Sequence, residues 1–393
     1  MTPTDPPRRV VPGPSVKLGR YECLVPLAEG GMATVWAARL HGARGFERLV
    51  AVKTISAALA EDPAFSAMFL DEAHFASRIR HPNVVSVLDL GEIGDLLYLV
   101  MEWVDGEPLS GLMREAHARG RGFPLPIIGR LMLDVCAGLE AAHALTGDDG
   151  ASVGLVHRDV SPQTVMVSRD GHVKLLDFGL AKATLLAGER TQPGHTKGKL
   201  GFMAPEQALG EQLDRRADLF PVGVMMFQLL TGKHPFRAHN TMATLQRLLT
   251  AALPTPRSLC PSLPDDLDAV VARAMAREPG GRPSSAAELG DELSRALAGE
   301  VATSAEVAAF VEELVGERLA DRQRRLRVAM ARSDAPGESE PPPPESGAAP
   351  KHVPWLPMLS SLVGLGPAQK PTEAAARHFT RPGGAEPGAE HAR

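Results

Sequence analysis

Val156-His157-Arg158-Asp159-Val160-Ser161-Pro162-Gln163-Thr164-Val165-Met166-Val167, followed by Val173-Lys174-Leu175-Leu176-Asp177-Phe178-Gly179, is the most informative stretch of this chain. Val165–Val167 and Val173–Leu176 are short, apolar and β-branched, the pattern of strands. Beside them stand two carboxylates, Asp159 and Asp177, eighteen residues apart. Carboxylates on loops at that spacing suit one base that orients a hydroxyl and one metal ligand. Downstream come Ala204-Pro205-Glu206, then Asp218, then Gly281-Arg282-Pro283. Glu206 lies in an apolar neighbourhood and needs a partner, for which Arg282 is the candidate in a structural ion pair. Upstream, Leu27–Val35 reads L-A-E-G-G-M-A-T-V between two candidate strands. Gly30 and Gly31 there permit a tight turn and close backbone approach to an anion. Val50-Ala51-Val52-Lys53 puts a lysine on the next strand, and Glu72 follows nineteen residues later on the first long helix. Such a lysine is either a snorkelling edge residue or, braced by a facing acid, a cation held against phosphate.

Composition narrows the class. The 393 residues carry 42 Lys and Arg against 47 Asp and Glu, a net charge of −5, which argues against a general nucleic-acid binder. Apolar residues make up 44%, enough for a sizeable core. Cys23, Cys136 and Cys260 are far apart and form no CxxC pair, so neither a disulfide scaffold nor a cysteine-built zinc site is expected. The first twenty residues lack the apolar run of a signal peptide, and no stretch has the roughly 20 apolar residues of a membrane span. A cytoplasmic chain is expected.

Residues 1–20 read as a Pro-rich, flexible leader. Five strands are predicted at Tyr21–Leu27, Thr34–Leu40, Leu49–Ile55, Val84–Leu90 and Leu96–Glu102, with one helix over Phe65–Arg80 that ends at His81-Pro82. After Gly106 the periodicity turns helical, at Pro126–Leu145, Pro221–Thr231, Met242–Ala252, Asp265–Ala276 and Pro283–Leu297. The expectation is an α+β, bilobal domain over 21–298. Its small lobe (about 21–104) holds five strands and one main helix, and its larger lobe (about 105–298) is mostly helical. A helical extension covers 299–332, with Val307, Phe310, Val311, Leu314, Val315 and Leu319 on one side and a solvated basic end from Arg322 to Arg332. Residues 333–393 are rich in Pro, Gly, Glu and Ala and read as disordered. Trp355–Leu365 is an apolar island there, either a short docking motif for a regulatory partner or an incidental sticky segment.

In this order and spacing the motifs resemble the bacterial Hanks-type, eukaryotic-like Ser/Thr protein kinases, over about residues 21–298. The resemblance implies the bilobal protein-kinase fold and transfer of the ATP γ-phosphate to protein hydroxyls, with Mg²⁺ as cofactor. Asp159 matches the catalytic base, Asp177 the metal ligand, Lys53 the phosphate-holding lysine and Glu72 its helix partner. The nucleotide would lie among Leu27, Gly30, Gly31, Val35, Ala51, Lys53, the gatekeeper Met101, and the hinge residues Glu102 and Val104. Arg158 implies an activation segment, Asp177 to Glu206, that phosphorylation can organise, with Thr184, Thr191 and Thr196 as the available acceptors.

The match departs from the family at four places. Ala28 and Ala33 replace two cover-loop glycines. Thr164 stands where the family has a second metal ligand, Asn, and offers one hydroxyl in place of an amide. Ser161 replaces the lysine two residues after the base, while Lys199 stands at a usual threonine; the expectation is that Lys199 supplies the displaced cation. Pro221 opens a helix, where proline costs little. Three alternatives stay open: a pseudokinase scaffold, favoured by Thr164, Ala28 and Ala33; tyrosine as acceptor, favoured by Ser161 and Lys199; and a kinase of small molecules on the same fold, opposed by the Ala204-Pro205-Glu206 segment, which resembles the protein-kinase peptide platform.

Overall fold

The computed structural model describes residues 16–30, 33–55, 59, 62–94, 96–178 and 200–334. Its first lobe is an antiparallel sheet of β1 (Lys17–Leu18), β2 (Tyr21–Glu29), β3 (Ala33–His41), β4 (Glu47–Ile55), β5 (Val87–Ile93) and β6 (Leu96–Glu102), in the order β1-β2-β3-β4-β6-β5. Strand side chains alternate between faces, and the sequence uses both. Val50, Val52, Leu96, Tyr98 and Val100 join Leu18, Tyr21 and Trp36 on one face. Ile55, Leu97, Leu99 and Met101 turn to the other, where helix α1 (Pro63–Arg78) covers them with Phe65, Phe69 and Ala73. The five expected strands are present. The sixth, β1, is only two residues long, too short to carry a readable alternation, yet Leu18 is fully buried.

The second lobe adds β7 (Gly106–Pro108), α2 (Leu109–Ala118), α3 (Leu125–His143), β8 (Val165–Ser168), β9 (Val173–Leu175), α4 (Pro205–Ala208), α5 (Leu219–Thr231), α6 (Thr241–Thr250), α7 (Asp265–Ala274), α8 (Ala286–Ala296) and α9 (Ser304–Asp334). Strands β7, β8 and β9 form a small sheet that carries the stretch bearing Asp159 and Asp177. Helix α5 is apolar on nearly every side and is buried from Leu219 to Phe227; a helix of that kind belongs at the centre of a lobe. Pro221 sits in its first turn, where no intrahelical N–H is lost.

Helix α9 departs from expectation. Thr303 and Glu306 close a capping box at its start: the Glu306 carboxylate accepts from Thr303 N at 2.7 Å, and Thr303 Oγ1 accepts from Glu306 N at 3.3 Å. Gly171, with φ +79°, lets this end approach the β8–β9 turn, since a Cβ there would lie 1.9 Å from Ser304 O. Val307, Phe310, Val311, Leu314, Val315 and Leu319 then pack into the helical lobe, as the periodicity predicts. The basic end, however, is not simply solvated. Arg322 lies over the Trp103 ring, 5.8 Å from its centroid, and reaches Asp105 and Gly106 O. Leu326 is buried against Leu24 and Ala37 of the first lobe. Asp334 takes a 2.7 Å hydrogen bond from Arg39, a buried guanidinium that also donates to Glu22. Burial alone would raise the Glu22 pKa, but its bonds from Ser333, His41 and Arg39 hold it down at about 2. One helix therefore grips both lobes across the hinge. Arg324 and Arg325 do stay exposed.

Leu326→Ala is expected to lower the unfolding free energy in urea by about 2 kcal/mol, the lower part of the range for buried Leu. It should also speed amide exchange at Glu102–Asp105; unchanged exchange there would show that α9 does not brace the hinge.

Candidate active site

The loop from His157 to Thr164 is fixed from beneath by one carboxylate. Asp218, just ahead of α5, is buried and accepts from His157 N (2.8 Å), Arg158 N (2.8 Å) and His143 Nε2 (2.8 Å). To aim two successive amides at it, Arg158 takes a left-handed backbone with φ 65°. That conformation costs about 1–2 kcal/mol for a residue with a Cβ, less than charge-assisted bonds from both amides contribute. His157 is wholly buried. Its Nε2 donates to Leu176 O at 2.9 Å, its Nδ1 accepts from Asp159 N at 3.3 Å, and its ring packs on Phe178. Gln207 of α4 donates to Arg158 O at 2.8 Å.

Thr164 closes the loop. Its hydroxyl donates to Asp159 O at 2.7 Å and accepts from Ser161 N at 3.0 Å, and the side chain is buried. Thr164 O accepts from Leu176 N at 2.8 Å, which ties the loop to the segment bearing Asp177. Asp177 also has a left-handed backbone, φ 59°. Its Oδ1 lies 2.9 Å from Lys53 Nζ, a contact between the lobes.

The strand register explains how the nucleotide candidates gather. Val35 stands opposite Ala28 on β2 and Lys53 on β4, and Ala51 stands opposite Met101 on β6. Ala51, Val104, Met101 and Leu176 share one apolar cluster at the mouth between the lobes. Behind Met101 a cavity of about 20 Å³ touches Phe178 and Asp177, room for a single water. The Glu102 carboxylate turns away, accepting from Lys174 Nζ at 2.7 Å and Ser86 N at 2.8 Å. Leu27 is partly exposed and Gly30 N donates to Ala33 O at 3.0 Å, closing the turn. Gly31, Lys199, Thr184, Thr191, Thr196 and the Glu72 side chain lie outside the described residues; Glu72 itself is on α1.

Among the described residues no three His, Cys, Asp or Glu side chains converge as a metal cage. Mg²⁺ does not require one, because it commonly binds one or two carboxylates together with substrate phosphates. Asp177 fits that donor set. Further out, Glu206 and Arg282 form a buried bidentate pair with both contacts at 2.7 Å, and Arg282 lies over the Phe220 ring. Asp218 and His143 are what the sequence did not assign. A lone Asp before an apolar helix gave no sign that it collects three donors from distant segments.

Arg282→Ala should cost about 3–5 kcal/mol in urea unfolding, since it strands a buried carboxylate; a loss below 1 kcal/mol would mean that Glu206 is not effectively buried. Asp218 supplies one part of the pH dependence, beside Glu22 and other carboxylates held low. Burial opposes its ionisation, yet the bonds from His143 and the His157 amide prevail and hold its pKa below the ordinary aspartate range. Its contribution is therefore complete above about pH 4 and is lost as pH falls through the depressed native pKa. Asp218→Asn should remove this part of the acid-unfolding slope and lower stability at pH 7; an unaltered slope would show that another carboxylate carries it.

Comparison with known proteins agrees with this geometry. A family model described as "Protein kinase domain" matches residues 21–322. Tyrosine-protein kinase MasK of Myxococcus xanthus is 41% identical over 310 residues, covering 78% of this chain and 48% of MasK. Serine/threonine-protein kinase PknB of Mycobacterium tuberculosis is 36% identical over 295 residues, covering 73% of this chain and 44% of PknB. The chain thus spans about half the length of the curated relatives it matches. The crystal structure of the Mycobacterium tuberculosis PknI kinase domain matches with a TM-score of 0.55 and 26% identity, covering 73% of this chain and all of that one. No helix among the described residues is long and apolar enough to cross a membrane. The chain belongs to the protein kinase family, in its bacterial Hanks-type branch.

Proposed function

We propose that this chain transfers the γ-phosphate of ATP to serine or threonine hydroxyls of partner proteins. The observation that carries the proposal is the 2.9 Å approach of Lys53 to Asp177 across the lobes, above a loop whose backbone holds Asp159 in place. Phosphoryl transfer asks mainly for positioning and charge stabilisation. Asp159 orients the acceptor hydroxyl and receives its proton. Lys53, with Glu72 fixing its pose, holds the α- and β-phosphates. Leu27, Gly30, Gly31, Val35, Ala51, Met101, Glu102 and Val104 enclose the nucleotide. Asp177 would hold Mg²⁺, with Thr164 close by. Mg²⁺, when bound, supplies positive charge to the phosphate oxygens.

Two further assignments belong to the same proposal. Lys199 supplies the cation missing at Ser161, whose short side chain is buried beside Thr164. Arg158 Nε is buried with no hydrogen-bond partner among the described residues; phosphate on Thr184, Thr191 or Thr196 would satisfy it and order the activation segment. An ATP-dependent role suits the cytoplasm, and the C-terminal tail is the place for a regulatory partner. One observation favours tyrosine as acceptor instead: the 41% identical relative is named a tyrosine kinase.

The test incubates the purified chain with γ-labelled ATP, Mg²⁺ and a generic acceptor protein, beside Asp159→Asn. Label is expected with the parent and at least a hundredfold less with the variant. Phosphoamino-acid analysis then separates serine and threonine from tyrosine. Absence of label with the parent, also in Mn²⁺ and in autophosphorylation, would replace the proposal with a binding-only scaffold. In an active preparation Thr164→Val is expected to lower kcat tenfold or more, because the loop loses its brace, while Lys199→Ala should lower it without raising the KM for acceptor. If Lys199→Ala leaves transfer untouched, the displaced-cation assignment is wrong.

A further inference from the structure

On the second lobe, beside the catalytic loop, lies a cleft of about 560 Å³. Ser161, Pro162 and Gln163, which follow Asp159 in sequence, form one wall; α2 and the segments after α5 form the others. Its charge is one-sided. Arg114, Arg121, Lys233 and Arg237 line it, and none of its lining residues is Asp or Glu. Arg121 is paired, with Glu313 of α9. Arg114, Lys233 and Arg237 form no ion pair among the described residues, and all three are exposed. The cleft's His234 adds no charge near neutral pH, since burial pushes its pKa down to about 4.

A chain of net charge −5 has acids enough to neutralise these positions, so a concave surface free of them is informative. Low-dielectric walls of one charge focus the field and raise the local concentration of oppositely charged ligand. The polar floor points to a peptide. Gln228 of α5 lies in the cleft wall, its Oε1 buried with no hydrogen-bond donor among the described residues. Ser110, Ser161, Gln163 and Thr244 add further polar side chains to the lining, and a few placed polar groups of this kind suit the N–H and C=O groups of an extended segment. Gln163 and Gln228 are neutral, so neither repels a carboxylate.

We infer that this cleft receives an acidic peptide, with Asp or Glu side chains flanking the acceptor hydroxyl, and that Arg114, Lys233 and Arg237 select it. This rests on the kinase proposal for the identity of the occupant, but docking itself requires no phosphotransfer.

The probes are two fluorescent decapeptides with one central hydroxyl residue, flanked by Glu and Asp in one and by Lys and Arg in the other, each made with Ser and with Tyr. Binding to the full chain is read by anisotropy without ATP, so the result stands apart from whether the chain is catalytic. Exposed ion pairs contribute a few-fold each, and three together on the order of tenfold or more. The acidic probe should therefore bind at least tenfold more tightly than the basic one, and lose most of that margin in about 0.5 M NaCl, where the Debye length is only a few ångströms. Arg114→Glu combined with Lys233→Glu should reverse the preference, with far-UV circular dichroism and melting temperature reporting that the variant is folded. Reversal in a folded variant supports the inference. Equal binding of both probes, no binding of either, or an unchanged preference in the folded variant overturns it. If the acidic probe binds and labelled ATP shows no transfer, the docking inference stands and the kinase proposal fails.

Discussion

The buried carboxylate of Asp218 is the interaction on which the site depends. It accepts from two successive amides of the catalytic loop and from His143, so three segments remote in sequence meet at one charge. Removing that charge would leave two buried N–H groups unpaired and the left-handed turn at Arg158 without compensation. The loop could then relax toward an ordinary conformation, and the direction of Asp159 would no longer be specified. A rigid, nearly all-apolar helix begins one residue later, which is why this carboxylate cannot move to follow the loop.

A second constraint is that the charged groups belong to different lobes. Lys53 is on β4 and Asp177 follows β9, so their separation is set by how the lobes are held, not by local geometry. Two devices act on that. Lys174 and Ser86 fasten the Glu102 carboxylate at the end of β6. Helix α9 runs from the helical lobe past Trp103 and Asp105 to Leu24, Ala37 and Arg39. An error of one ångström in such an approach can cost two orders of magnitude in rate, so a brace far from the chemistry bears on it directly. The cost is mobility: a hinge held by both a helix and an ion pair opens less readily for nucleotide exchange.

Most of the fold was legible because its segments carry clear periods. β6 was read to the residue, and the end of α9 to within two residues of the expected 332, since Val307 through Leu319 repeat at helical spacing. The pairing of Glu206 with Arg282 was legible too, because a lone acid in an apolar run must find a cation. What escaped was set by tertiary contact. α2, Leu109–Ala118, alternates Leu and Met with Gly, Ser and Arg over only ten residues and gives a weak signal. The far end of α9 reads as a basic, solvated tail until Trp103 and the Arg39 cluster are placed against it. The cleft beside Gln163 is likewise invisible in sequence, since its cations come from α2 and from the turn after α5, more than a hundred residues apart.

Thr164 shows how one position can keep half of a two-part role. The family's amide can brace a loop with its NH₂ and offer its oxygen to a metal at once, whereas a hydroxyl has one proton and two lone pairs. Here the proton goes to Asp159 O and one lone pair receives Ser161 N, both within a buried pocket. Geometry at Asp159 is thereby preserved with the shorter side chain, and little of the oxygen remains to face a cation. On the proposed mechanism, the positive charge that neutralises the transferring phosphoryl would then come from a metal held by Asp177 and from lysines. That places a premium on the Lys53–Asp177 approach, and it is the physical motive for the proposed exchange of Ser161 and Lys199, in which a side chain carrying its own charge would make up for a weakened cation site.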